Sequence, residues 1–236
     1  MKAHVEIGGG QTMALKGAVL IYSGVSRAFC TWHEARRGSS GEAVLGEATA
    51  LTTEFVRSLA GELSPWRGLE ILPSNVLARA EESIVWWSPA VIRPMFFRTG
   101  DTEAAEFTGE RFPHPPLVWR VQGRRLAVRA LAENKRPEAS TQLRVAPYFN
   151  TDGQNGDVCQ GSMRSPEETG VAAIGQWESA FFQSEFTHQT GARKLTSHPR
   201  GFYGLWRSMC GQARFPMKNL VPANETLLEF ARREDR

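Results

Sequence analysis

Three cysteines in 236 residues are too few to staple a chain of this size, and the odd count leaves at least one thiol without an internal partner. A reducing cytoplasm is therefore the expected setting, because a chain this long needs no disulfides to hold its core. Long apolar runs are also missing. Stretches such as Ala18 to Tyr22 fall far short of the ~20 residues that a membrane helix requires, and the start lacks the pattern of a secretory signal. An excess of one charge is nearly absent: 28 basic residues face 25 acidic ones, a net charge of +3, so neither nucleic-acid nor membrane-surface binding is expected. The five histidines are scattered and no Cys-x-x-Cys or His-x-x-x-His spacing occurs, which argues against a metal site. Gly8-Gly9-Gly10 is not followed by Gly-Lys-Ser/Thr, so no phosphate-cradling loop and no cofactor are expected.

What the chain does contain is enough apolar material for a real core, 41% of its residues, arranged in short runs. Leu15 to Tyr22 and Ala28 to His33 read as hairpin strands, and Leu51, Phe55, Leu59 and Leu63 mark one face of a helix over 49–63 that Ser64-Pro65 ends. Leu69 to Leu72, Ile84 to Trp87 and Ile92 to Phe97 are strand-like. The polar, proline-rich stretch from Thr99 to Pro116 suggests a boundary, dividing an N-terminal α/β extension (1–105) from a second part (106–236). There, Leu117 to Val121, Leu126 to Leu131 and Gln142 to Ala146 alternate with turn residues in the manner of an antiparallel meander. Ser165-Pro166-Glu167-Glu168 predicts a helix start, with Ile174, Trp177, Phe181 and Glu185 at helical spacing. Further helices are expected from Arg200 to Met209 and from Asn224, the last burying Leu227, Leu228 and Ala231.

The chemistry-bearing feature is Asn155-Gly156-Asp157-Val158-Cys159. Asn-Gly is a strong tight-turn signal, because both residues tolerate positive φ. A cysteine just beyond such a turn sits on a defined, accessible loop, and a positioned thiol can act as a nucleophile through its thiolate fraction. Cys30, beside Phe29 and Trp32, reads as core, and Cys210 as a helix-end residue. A Cys-His hydrolase, with His188 or His198 as its base, is an alternative chemistry for the same thiol.

Residues 115–188 resemble the ubiquitin-conjugating enzymes, in which a strand meander leads to a His-Pro-Asn motif, then Asn-Gly-x-Ile/Val-Cys, then helices. More closely, Pro-Tyr-Phe-Asn (147–150), Val-Cys-x-Gly (158–161), Ser-Pro (165–166) and Trp177 to His188 are similar to the bacterial PRTRC system protein B family. Leu72-Pro73, Trp86 to Ala90 and Met95 to Phe97 extend the resemblance over most of the chain. It implies an α+β fold, with a conjugating-enzyme-like meander and helices behind an N-terminal α/β extension. It also implies a bacterial, plasmid-associated system that includes a ThiF-like activating enzyme and a ubiquitin-like protein. Cys159 would take the modifier's C-terminus as a thioester and pass it to an amine. The motif departs from the family: Ala146-Pro147 stand in the histidine's place, and Tyr148-Phe149 are inserted before Asn150. By the resemblance, Asn150 stabilises the oxyanion or positions the loop; from their own places near the thiol, Tyr148 is expected to orient or desolvate the incoming lysine and Asp157 to assist its deprotonation. The structural alternatives are a turn cap for Asn150, packing for Tyr148 and a hairpin end for Asp157. A non-catalytic interaction module on the same fold is the alternative function.

Overall fold

The computed structural model describes residues 15–23, 28–39, 42–63, 71–80, 82–98, 105–167 and 170–233. The chain divides into two compact units between residues 70 and 71. In the first, β1 (Gly17–Ser23), β2 (Ala28–Arg37) and β3 (Ala43–Ala50) form an antiparallel sheet in the order β1-β2-β3. The expected hairpin is present, with Val19 opposite Trp32 and Ile21 opposite Cys30. Helix α1 (Thr53–Leu63) begins later than its apolar spacing suggests. Thr49 and Ala50 are paired in β3, and the Thr52 hydroxyl accepts the Phe55 N–H, 3.1 Å, as an N-terminal cap. Phe55 meets the Trp32 ring at 4.8 Å between centroids. Ser64-Pro65 and Gly8-Gly9-Gly10 lie outside the described residues.

The second unit is built on a six-stranded antiparallel sheet of β4 (Val76–Arg79), β5 (Ser83–Ser88), β9 (Leu117–Gln122), β10 (Arg125–Ala130), β11 (Gln142–Val145) and β13 (Pro222–Thr226). The spatial order is β13-β11-β10-β9-β5-β4. The meander expected over 117–146 forms the centre, and β4 and β5, which precede residue 106, complete one side. Two small pairs flank it: β6 (Val91–Pro94) antiparallel to β8 (Arg111–His114), and β7 (Phe96–Phe97) parallel to β12 (Glu185–Phe186). The strand expected at 69–72 is absent where described, since 71–73 carry no strand and β4 begins at Val76.

Strand β9 shows why the core lies where it does. Its residues Leu117 to Val121 are all buried, because both faces of the sheet are covered. On one face Trp119 meets Phe181 of α2 (Ile174–Phe182) at 5.2 Å, edge to face. On the other, the Arg120 guanidinium donates to the carbonyl oxygen of Phe230, 3.2 Å, in α4 (Leu227–Arg232), and to that of Arg233, 2.6 Å. Trp86, Trp119, Trp177, Phe181 and Trp206 of α3 (Gly201–Ser208) are fully buried. Burial of such large side chains supplies the main stabilising free energy, each worth roughly 1.5–3 kcal/mol or more.

Two helix starts in the second unit also differ from expectation. Ser165 caps nothing: its hydroxyl is buried without a partner, and α2 begins at Ile174 after a 3-10 turn over Val171–Ala173. Glu185 belongs to β12 rather than to the helix. The last helix starts at Leu227, three residues beyond Asn224, because Thr226 and Glu229 form a reciprocal capping box. Leu228 is consequently exposed rather than buried. No helix among the described residues is long and apolar enough to cross a membrane.

Candidate thiol site

From the end of β11 the chain passes through the core as Ala146-Pro147-Tyr148-Phe149 and then reverses at Asn150, whose φ of 58° lies in the left-handed region. Residues 150–152 and 157–159 form a short hairpin. The Cys159 N–H donates to the Asn150 carbonyl oxygen (2.7 Å) and the Asp152 N–H to that of Asp157 (2.9 Å), with Thr151 opposite Val158. The outer arm continues the sheet. Val128 N–H donates to the Gly156 carbonyl oxygen and Val158 N–H to that of Leu126, both 2.9 Å, so the arm docks on the part of β10 that β11 leaves unpaired. The inner arm is held by a third segment, with Asn150 N–H donating to the His188 carbonyl oxygen (2.9 Å) and Asp152 beside Thr190 in parallel register.

Local chemistry sets the turn. The Asp152 carboxylate accepts the N–H groups of Gln154 (2.6 Å) and Asn155 (3.4 Å), and the Asn155 side chain exchanges two hydrogen bonds with Asp157. Gly156 is required twice over. Its φ is +82°, and a Cβ there would lie 2.7 Å from the Val128 carbonyl oxygen. The Asn-Gly turn is therefore real, and Cys159 stands exposed at its far end.

Two arginines fix the turn from behind. Arg129, fully buried on β10, donates to the carbonyl oxygens of Gly153 (3.2 Å) and Gln154 (2.6 Å) while pairing with Glu225 of β13. Burial lowers the pKa of this guanidinium and the Glu225 carboxylate acts against that shift. Arg233 donates to the Asn155 carbonyl oxygen and pairs with Asp157 at 2.7 Å. Neither Arg129 nor Glu225 stood out in the sequence, yet Arg129 carried a signal. It is a charge inside the apolar strand Leu126-Ala127-Val128-Arg129-Ala130, which only a dedicated partner set makes tolerable.

Asn150 is 3% exposed and its side-chain amide is engaged. Its Nδ2 donates to the Glu185 carbonyl oxygen (2.7 Å), and its Oδ1 accepts the Thr187 N–H (3.1 Å) and hydroxyl (2.7 Å). Asn150 thus ties the thiol hairpin to β12 and to Thr187 just after it. Tyr148 is fully buried and donates its hydroxyl to His114 Nδ1 at 3.0 Å, since His114 Nε2 faces the Arg93 carbonyl oxygen at 3.2 Å and must carry the hydrogen. Its side chain lies in the aromatic core with Phe181, Phe186 and Trp206, away from solvent. The structure thus brings Asn150, Asp157 and Cys159 together on one hairpin and places the Tyr148 ring in the packing beneath it. Cys30 is half-buried. Cys210 is exposed, but desolvation, followed by the Glu110 charge, raises its thiol pKa.

The buried His114 gives the fold a pH dependence. Burial lowers its pKa from 6.5 to about 3, so the folded chain refuses a proton that the unfolded chain accepts below pH 6.5. Stability therefore falls as pH drops from about 6.5 towards 3, with roughly 2 kcal/mol lost by pH 5. Urea midpoints at pH 7 and pH 5 are expected to differ more for the wild type than for His114→Gln. Equal differences would assign the acid sensitivity to other groups.

A twisted antiparallel meander, helices on both faces and an exposed cysteine on a pinned hairpin define an α+β protein of the ubiquitin-conjugating-enzyme type. The profile of prokaryotic E2 family D matches residues 53–223, most of the chain, and the chain belongs to that family. Comparisons with curated proteins and with solved structures return no match.

Proposed function

We propose that this protein carries a ubiquitin-like protein as a thioester on Cys159 and transfers it to an amine. The observation that supports this most is the placement of the exposed Cys159 thiol at the end of a hairpin bonded along both arms. Such a thiol is accessible yet held, which is what docking against a second protein's acyl group demands. In the charging step the Cys159 thiolate attacks the modifier's C-terminal thioester on an activating enzyme of the ThiF-like class. The new C–S bond forms as the old one breaks, and the activating enzyme's thiol leaves. In the transfer step an amine attacks the same carbonyl carbon, an amide forms and the Cys159 thiol is released. Asn150 acts as a positioning residue, its carbonyl oxygen holding the Cys159 N–H and its side chain anchoring the loop. Tyr148 positions from below through its packing and its bond to His114. Asp157, two residues before Cys159, holds the turn that carries the thiol, its carboxylate paired with Arg233 at 2.7 Å and accepting the Asn155 amide at 2.8 Å. A bacterial cytoplasm and a plasmid-associated gene set complete the proposal.

Mixing the protein with its ubiquitin-like partner, activating enzyme and ATP should yield an adduct that resolves on a non-reducing gel and disappears with thiol reductant. Cys159→Ala should abolish it, and Cys159→Ser should give at most a reductant-resistant ester. A wild type that takes nothing from a visibly charged activating enzyme would leave a non-catalytic docking module as the function. ATP-independent cleavage of a modifier bond that Cys159→Ala stops would make the protein a hydrolase.

A further inference from the structure

The Thr187 hydroxyl has one hydrogen and two polar neighbours, Asn150 Oδ1 at 2.7 Å and His188 Nδ1 at 2.8 Å. The orientation of the Asn150 amide decides where that hydrogen goes. Its oxygen must face the Thr187 N–H (3.1 Å) and its nitrogen the Glu185 carbonyl oxygen (2.7 Å), because a flipped amide would set donor against donor and acceptor against acceptor. Asn150 Oδ1 is therefore an acceptor, and the Thr187 hydroxyl spends its hydrogen there. The Thr187 oxygen can then only accept from the ring, so His188 carries its hydrogen on Nδ1 and presents the bare lone pair of Nε2. His188 is exposed, so that lone pair is accessible. A side-chain relay from Asn150 through Thr187 thus selects one tautomer of a surface histidine.

The backbone places this ring beside the thiol. Asp152 is paired with Asp157 on one side and with Thr190 on the other. The Cys159 N–H donates to the Asn150 carbonyl oxygen (2.7 Å) and the Asn150 N–H to that of His188 (2.9 Å), so Cys159 and His188 lie on either side of Asn150. The backbones of the two flanking arms are about 10 Å apart, twice the spacing of paired strands. A sulfur-bound thioester carbonyl and an amine approaching it from the histidine side together span a separation of that order.

Resting on the carrier function proposed above, we infer that His188 is a catalytic base of the transfer step, held in its working tautomer by the positioning residues Thr187 and Asn150. The attacking amine forms the C–N bond as the C–S bond breaks. The surplus proton on nitrogen passes to His188 Nε2, and from there to solvent or to the departing thiolate.

The test is single-turnover discharge of the preformed Cys159 thioester to free lysine and, separately, to hydroxylamine, which needs little base assistance at neutral pH. His188→Gln should leave charging of Cys159 within about twofold of the wild type. It should slow discharge to lysine about 100-fold, within the range expected for a lost general base, and leave hydroxylamine discharge unchanged. Thr187→Val should slow lysine discharge to a lesser degree. Imidazole 15N shifts should report Nδ1–H for His188 in the wild type and loss of that preference in Thr187→Val. Equal slowing with both nucleophiles would make His188 structural, and unchanged lysine discharge would remove it from the reaction. An Nε2–H tautomer in the wild type would overturn the relay. A wild type that cannot be charged at all sinks the carrier function itself, a result visible before any discharge is measured.

Discussion

Arg129→Met should destabilise the protein by about 3–5 kcal/mol, the usual consequence of removing one partner from a buried ion pair. The guanidinium is fully buried and the Glu225 side chain is 17% exposed, so water cannot replace what is lost. The carbonyl oxygens of Gly153 and Gln154 lose their donors in the same stroke. Arg129→Lys should recover little, because an ammonium cannot reach Glu225 and two carbonyls with the fork of a guanidinium. Pairing Arg129→Met with Glu225→Leu should recover part of the loss by removing both charges. Guanidinium-chloride unfolding of the single and double variants measures this coupling. A single-variant loss below about 1 kcal/mol would mean that the turn simply relaxes into solvent and that the clamp is dispensable.

Gly156→Ala should be nearly as damaging, by roughly 2–4 kcal/mol, and should slow charging of Cys159 at least tenfold. One part is the left-handed backbone, worth about 1–2 kcal/mol for a residue with a side chain. The other is the 2.7 Å approach of a new Cβ to the Val128 carbonyl oxygen, which forces the outer arm off β10. Gly156→Asn separates them, because asparagine tolerates positive φ but carries the same Cβ. Asparagine should restore only the smaller share of stability, measured by urea unfolding, and little of the charging rate. Full restoration by asparagine would mean that the contact with Val128 yields easily and backbone strain alone matters.

The meander was legible because β9, β10 and β11 are apolar segments set apart by local turn chemistry. The hairpin at 150–159 was legible for the same reason: Asp152, Asn155 and Gly156 form its turn through bonds to their own neighbours. Strand β3 was not, since Ala43 to Ala50 is rich in alanine and glycine and becomes a strand through pairing with β2. Ser165-Pro166 had the composition of a helix start, but the 3-10 turn at Val171 begins the helical run. Tyr148 was expected either to meet the incoming lysine or to pack, and only the tertiary structure shows its hydroxyl committed to His114. The clamp on the thiol loop was equally hidden, since Arg129 and Glu225 are 96 residues apart and Arg233 and Asn155 are 78 apart. The tautomer of His188 depends on three side chains at once, and no spacing rule encodes that.

Those long separations also order events in time. The Asn-Gly turn closes from adjacent residues and can form early, whereas β13 and Arg233 must travel across many residues before they reach it. The thiol platform is accordingly a late element of folding. Until the strand carrying Glu225 docks, Arg129 has no counter-charge and the loop over it no anchor, so a partly folded chain offers the cysteine without its pinned hairpin.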